Sequence, residues 1–347
     1  EFNNALDNSI SAFLRRASAY ALLKPTHKIF EYFVRHFKVH EKNVDAFLEA
    51  VLPFHSTEIF LRVLSICAIE GTRWEFLSKA QRNSATIERK VLVTRCCDDM
   101  SLINFLCNSV RGVSDGTHQT KVRITFATAV LIEVLERCKN DQERKKSFFT
   151  RLLPYITDSI KCHTCFDFQL SGYMLVSSIC RCGARLTKNL FAYLISIITM
   201  NMDESKLDVS IRCLVSVYQA TEHQQISIPL PQKPYNKLRS MDTTLIKTLK
   251  SLVKNENIDI SAFLSNFLSK MLQNISAINA NTIHIFELLS FIIDELPLQK
   301  HVQNIVNNVF KTLSESRMLG SGEKDIVELR KRIQNLVASL SKKYPNL

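Results

Sequence analysis

Residues 20–67 read YALLKPTHKIFEYFVRHFKVHEKNVDAFLEAVLPFHSTEIFLRVLSIC, and the spacing of their apolar positions predicts three short helices in succession. Pro25 suits the first turn of the first helix, where its missing N–H would have found no intrahelical acceptor. Ile29, Phe30, Phe33, Val34 and Phe37 then recur at helical spacing as one apolar stripe, and Lys28, Glu31, Arg35 and Lys38 fall away from it. Val44, Phe47, Leu48 and Val51 repeat the pattern until Pro53 stops it. Ser56, read as an N-cap with Glu58 in the first turn, opens a third stripe of Ile59, Phe60, Val63 and Leu64. None of these helices can bury its stripe alone; stacked side by side, they can.

Outward from this stretch the same pattern continues. Residues 3–19 read as an opening helix with Ile10, Phe13, Leu14 and Ala17 inward. Past the third stripe, Gly71 breaks the run and Trp74, Phe76 and Leu77 form an apolar plug. Helices are expected near 85–95, 99–110, 120–138, 142–160, 168–182, 188–200 and 206–219, with a loop at Arg111 to Gln119. They recur about every 20 residues, the rhythm of paired-helix repeats of roughly 40 residues. The three prolines of EHQQISIPLPQKP, Glu222 to Pro234, forbid a continuous helix. Further helices are expected near 242–254, 258–273, 280–295, 298–314 and 323–342, with a break at Leu319 to Gly322. The organisation expected is repeats over 1–221, a Pro-rich loop or linker over 222–235, and continuing repeats over 236–347.

Composition agrees. Seven glycines and eight prolines in 347 residues are too few for a many-turned sheet protein, and 46% hydrophobic residues can fill a large core. The reading is an all-α, right-handed α-solenoid of about sixteen helices, a non-enzymatic scaffold with long faces for partners. The ten cysteines sit mostly in apolar helical stretches, which suits buried thiols in a reducing compartment better than a disulfide frame. The longest apolar run, Leu190 to Met200, is too short to span a bilayer. No secretory or transit segment is visible at the start, and the opening Glu1-Phe2 without a Met is expected of a fragment.

Candidate chemistry is sparse. Cys162-His163-Thr164-Cys165 with Cys180 and Cys182 nearly imitates a four-thiolate zinc site, but the second pair is C-x-C and Cys180 falls on a core stripe with Leu175, Val176 and Ile179, so buried thiols are the expectation. His36 and His40 could share one helix face but have no further ligand beside them. Asp98 and Asp99 precede an apolar helical run and read as N-terminal caps. Phosphate-binding, dinucleotide, zinc-protease and nucleophile-elbow motifs are missing from the sequence. No catalytic, cofactor or metal residue is assigned.

The net charge of +12 favours an anionic partner. Four basic clusters carry it. The first holds Arg15, Arg16, Lys24, Lys28, Arg35, His36, Lys38, His40 and Lys42, with Tyr20 and Tyr32 interleaved. The second holds Arg137, Lys139, Arg144, Lys145, Lys146 and Arg151. The third holds Lys233, Lys237, Arg239, Lys247, Lys250 and Lys254, and the fourth Arg330, Lys331, Arg332, Lys342 and Lys343. Aligned along a solenoid face, such residues would track phosphates, with binding that falls steeply with salt. The alternative is an ordinary charged helix surface with glutamates interleaved, as at Glu133, Glu136 and Glu143. The residues selected as RNA or partner contacts are Arg15, Arg16, Lys24, Lys28, Arg35, Lys38, Lys42, Arg144, Lys145 and Lys146.

The run LLKPTHKIFEYFVRHFKVH followed by NVDAFLEAVLPFHSTEIFLRVL resembles the N-terminal region of the U3 small nucleolar RNA-associated protein 10 family, large HEAT-repeat subunits of the small-subunit processome. Leu6, Asp7, Ile10 and Leu14, the lone Trp74 and the closing SKKYPNL add to the resemblance, which is concentrated in about the first 75 residues. It implies a HEAT-like solenoid acting in nucleolar ribosome biogenesis. Implied partners are β-propeller subunits of an early subcomplex and the 5′ external transcribed spacer of pre-ribosomal RNA, in support of 18S maturation and pre-rRNA transcription. No membrane and no small-molecule substrate are expected. The rival readings are a HEAT-repeat nuclear transport receptor, which would tend to be acidic, and a regulatory adaptor that positions a kinase or phosphatase.

Overall fold

In a computed structural model of the chain, the residues described are 2–111, 118–138, 140–274, 280–299, 302, 303, 305–307 and 323–344. Among them every regular element is a helix. The chain divides into two compact units, Glu1–Arg185 and Leu186–Leu347.

The first unit begins with α1 (Phe2–Ala17), α2 (Lys24–Phe37), the single turn α3 (Val39–Lys42), α4 (Val44–Val51) and α5 (Glu58–Ile66). Helix α2 opens with Pro25 in its first turn and ends where Lys38 takes a left-handed φ of 51°, so the chain turns at once into α3. Val44, Phe47, Leu48 and Val51 of α4, and Ile59, Phe60, Val63 and Leu64 of α5, are all buried. The N-cap of α5 is Thr57, one residue later than the sequence suggests; Ser56 precedes it, and the Thr57 hydroxyl donates to the carbonyl of Phe54 at 2.7 Å. Gly71, at φ 65°, supplies the left-handed turn before the plug. Trp74 is then fully buried, its indole N–H donating to Asp45 Oδ1 at 2.7 Å.

After α6 (Ser78–Arg82), helices α7 (Arg89–Asp98), α8 (Met100–Arg111), α9 (His118–Arg137), α10 (Gln142–Lys161) and α11 (Phe166–Arg181) pack in sequence. One layer runs α7, α9, α11, and the other runs α8, α10. Helix α7 therefore packs on α8 and α9, α8 on α9 and α10, and both α9 and α10 on α11. Asp141 caps α10 by accepting from the Arg144 amide at 3.0 Å, and Asp99 does the same at α8 for the Ser101 amide at 2.8 Å. Gly172, inside α11, faces Ser159 of α10, and a Cβ there would meet the serine side chain. Its bare backbone lets the two helices approach closely.

The second unit repeats the scheme. Helices α12 (Lys188–Met200), α14 (Gln232–Arg239) and α16 (Ser261–Gln273) form one layer, while α13 (Leu207–His223), α15 (Asp242–Glu256) and α17 (Ala280–Glu295) form the other. Helix α18 (Glu323–Lys343) packs on α17. The Pro-rich stretch 222–235 lies inside this unit, with Ile228, Leu230 and Tyr235 buried, and α14 starts within it. The helix expected over 298–314 falls mostly outside the described residues. Among the described residues each unit is thus all-α, with consecutive helices in two layers.

Candidate docking face on the first helices

Many cations pair with acids on a neighbouring helix, among them Lys250 of the third basic cluster and Arg332 of the fourth. Arg111 of α8 donates to Asp158 of α10, with Nε–Oδ2 at 2.7 Å. Lys121 of α9 lies 3.6 Å from Asp167 of α11, and Arg89 of α7 lies 2.5 Å from Glu133 of α9. In the second unit Arg212 of α13 pairs with Glu256 of α15, Lys250 of α15 with Glu295 of α17, and Arg332 of α18 with Glu287 of α17 at 3.1 Å. Thr244 of α15 donates to Glu204 just before α13 at 2.6 Å. The separations along the chain are 47 for Arg111 and Asp158, 44 for Arg212 and Glu256, 45 for Arg332 and Glu287 and 40 for Thr244 and Glu204. This is one repeat length, so each rung joins equivalent helices of neighbouring repeats.

Other candidates turn inward. Lys145 is a correction to the surface assignment: it is 2% exposed, and its ammonium donates to the carbonyl of Cys182 at 2.7 Å, capping the end of α11. Lys343 likewise donates to carbonyls of Ile293, Asp294 and Leu296 at the end of α17. Arg15 is half-buried and pairs with the buried Glu49 at 3.0 Å, alongside Arg123, which the basic clusters did not include. Arg144 is exposed but lies 3.3 Å from Asp141, and Lys146 is exposed. Lys139 and the side chain of Arg330 lie outside the described residues.

The thiols have structural places. Cys165 precedes and Cys182 follows the same 16-residue helix, a length of about 24 Å, so the two cysteine pairs stand at opposite ends of α11. All ten cysteines carry thiols. Among the described residues no group of three or more His, Cys, Asp or Glu side chains is placed to hold a metal ion. No helix there is long and apolar enough to cross a membrane. Asp99 accepts from Ser101 and from Arg95, and the Ser101 hydrogen bonds hold its carboxyl below the usual range.

The first cluster behaves differently. Arg16, Lys24, Lys28, Arg35, Lys38 and Lys42 are all exposed, and none has an ion-pair partner among the described residues. Apolar groups are exposed beside them: Leu22 is 56% exposed, Leu23 53%, Tyr32 53% and Ile29 39%. Of the α2 stripe only Phe30 is fully buried, edge-on to Phe47 with ring centroids 5.3 Å apart. Phe33 stacks on Phe13 of α1 at 5.0 Å and 11°. Sequence reading placed the basic residues on this surface but put Ile29 inside, because the stripe gives no sign of which part lacks a covering neighbour.

Residues 148–271 match the family model described as U3 small nucleolar RNA-associated protein 10. Over those residues the chain is similar to that family. It is 28% identical to HEAT repeat-containing protein 1 of Danio rerio over 99% of this chain and 16% of that protein. It is 26% identical to the HEAT repeat-containing protein 1 homolog of Dictyostelium discoideum over 98% of the chain and 14% of the relative. The U3 small nucleolar RNA-associated protein 10 of Yarrowia lipolytica shares 26% identity over 65% of the chain and 14% of its own length. The chain thus spans about one-sixth or less of the relatives it matches. The family match runs from Phe148 in α10 to Met271 in α16, away from the 20–67 stretch on which the resemblance rests, and the zebrafish alignment covers both.

Proposed function

We propose that the chain is a non-catalytic scaffold of ribosome biogenesis in the nucleolus. Its helical repeats hold β-propeller subunits of the early small-subunit processome in fixed relative positions, and its basic surface meets the 5′ external transcribed spacer, in support of 18S rRNA maturation and pre-rRNA transcription. The observation that carries this reading is the match over residues 148–271 to a family described by its association with U3 small nucleolar RNA, joined by relatives of the same name. The architecture supports an architectural role. Consecutive repeats touch only their neighbours and leave extended faces open, while the Asp99 carboxylate is engaged as a helix cap.

The test is to tag the full-length protein in its own cells, crosslink, purify under stringent wash and measure the co-purified RNA and proteins. Enrichment of U3 RNA, 5′ spacer RNA and β-propeller proteins is expected. Enrichment of none of them over a mock purification overturns the reading.

A further inference from the structure

Seven of the fifteen large hydrophobic side chains exposed among the described residues fall between Leu6 and Tyr32, so the apolar surface of this chain is concentrated on its first two helices. Helical spacing arranges it. On α1, Leu6, Phe13 and Arg16 share one face at i, i+7 and i+10. On α2, Ile29, Tyr32, Phe33 and His36 share the face that Phe33 turns to α1, and Lys24, Lys28 and Arg35, with the single acid Glu31 among them, form the row next to it. The stacked Phe13 and Phe33 rings join the two helices. What results is an apolar seam with a cation on the α1 margin, Arg16, and three on the α2 margin, while Leu22 and Leu23 extend it past the start of α2.

We propose that this seam is a docking site for an acidic amphipathic helix of a partner protein. Its apolar stripe would lie on Ile29, Tyr32, Phe13 and the two leucines, and its carboxylates would face Arg16 on one side and Lys24, Lys28 and Arg35 on the other. Charge complementarity selects the occupant: elsewhere in the described residues the inter-repeat cations already have acidic partners, and here they do not. Aliphatic side chains select protein over RNA. A phosphate backbone would engage the cations but leave Leu22, Leu23 and Ile29 in water, and bases stack on aromatic faces, whereas the Tyr32 ring is already 4.3 Å from that of His36. A helix laid in a groove instead buries anchors at i, i+3, i+4 and i+7. The site does not depend on which assembly the chain serves.

The experiment uses the 347-residue chain and a fluorescent 18-residue helical peptide with Leu and Phe at i, i+3, i+4 and i+7 and Glu elsewhere. The comparisons are the same peptide with Lys for Glu, and a 20-nucleotide single-stranded RNA. Saturable binding of the acidic peptide is expected, at least tenfold tighter than the lysine version and weakened by salt. Hydrogen exchange of residues 20–37 is expected to slow in the complex. Leu23→Ser with Ile29→Ser, and separately Lys28→Glu with Arg35→Glu, should each weaken binding at least tenfold at unchanged Tm. Because all four side chains are exposed, at least one pair of variants will fold. Equal binding of both peptides, slowed exchange only outside 20–37, or displacement of the peptide from the seam by RNA at equal concentration overturns the proposal. So does self-association of the chain through this face, seen as a peptide-sensitive dimer by light scattering.

Discussion

Arg123 on α9 and Glu49 on α4 form a charge pair closed off from water: Nη1 lies 3.6 Å from Oε1, and the side chains are 3% and 4% exposed. Arg15 reaches the other carboxylate oxygen from the half-buried rim at 3.0 Å, and Arg123 also donates to the carbonyls of Arg15 and Ser109. One guanidinium thus ties α9 to α1, α4 and the end of α8. Arg123→Met should cost about 3–5 kcal/mol, since it leaves the buried carboxylate with only the half-buried Arg15 as its ion-pair partner. Adding Glu49→Met should recover much of that loss, a non-additivity that urea midpoints of the two single variants and the double variant would reveal.

Lys145 separates structure from partner binding. Lys145→Met removes the donor to the Cys182 carbonyl and should cost about 1–3 kcal/mol by leaving that acceptor unsatisfied. Lys146→Glu, one residue on at an exposed position, should leave the midpoint of unfolding within about 0.5 kcal/mol. An equal loss in both variants would contradict the burial of Lys145.

Close approach of α10 and α11 makes Gly172 a sensitive position. A Cβ there would stand 3.1 Å from Ile160 Cγ1 and from Ser159 Cβ, and the Ser159 hydroxyl already donates to the Ile156 carbonyl at 2.8 Å. Gly172→Val should destabilise the fold by about 1–3 kcal/mol through overpacking, read as a lowered Tm. Gly172→Val with Ser159→Gly should be milder.

Acidification should weaken the first unit through His55. Burial against Phe126, with ring centroids 5.5 Å apart, is the main cause that holds its pKa below the ordinary 6.5; the carbonyls of Leu52 and Pro53 oppose the shift and Arg89 adds to it. The unfolded chain therefore binds a proton more readily. The stability this residue contributes is fully present above about pH 6.5 and is lost as pH falls through the lower folded value. Tm measured from pH 7.5 down to 5 should fall less steeply for His55→Leu than for the parent.

Thiol reactivity should follow burial. Cys67, Cys96 and Cys107 are buried, and desolvation pushes each thiol up to about 12. At pH 8 their thiolate fraction is on the order of one in ten thousand. Iodoacetamide followed by peptide mass mapping should leave all three unmodified in native protein and label them in urea. Native labelling of Cys96 would contradict the packing of α7.

Much of the fold was legible because each helix writes its own stripe. The α4 and α5 residues singled out from spacing are all buried, and Asp99 caps α8 as its position before an apolar run suggested. The opening stripes were only partly right. Ile10 and Leu14 are inside, but Phe13 and Ile29 are 39% exposed, since periodicity identifies an apolar face without identifying what lies against it. Phe30 is buried, whereas Phe33 of the same stripe is half-buried. The basic clusters misled for a related reason. Neighbours in sequence share a cluster, but acids that neutralise them, such as Glu295 for Lys250, sit a whole repeat away, and Lys145 is buried although Arg144 and Lys146 beside it are exposed.

The rungs that join successive repeats also bear on how this chain can vary in length. Inserting one residue inside a helix turns everything beyond it by about 100° and would carry Arg212 or Lys121 away from its acid. An insertion in a joint between helices leaves every rung in phase. The zebrafish alignment runs over 370 residues, longer than the chain itself, and its surplus is expected to fall in the joints, with the helices keeping their lengths. The spaced charges act as a ruler, set by pairing, that divides the sequence into segments free to grow and segments that are not.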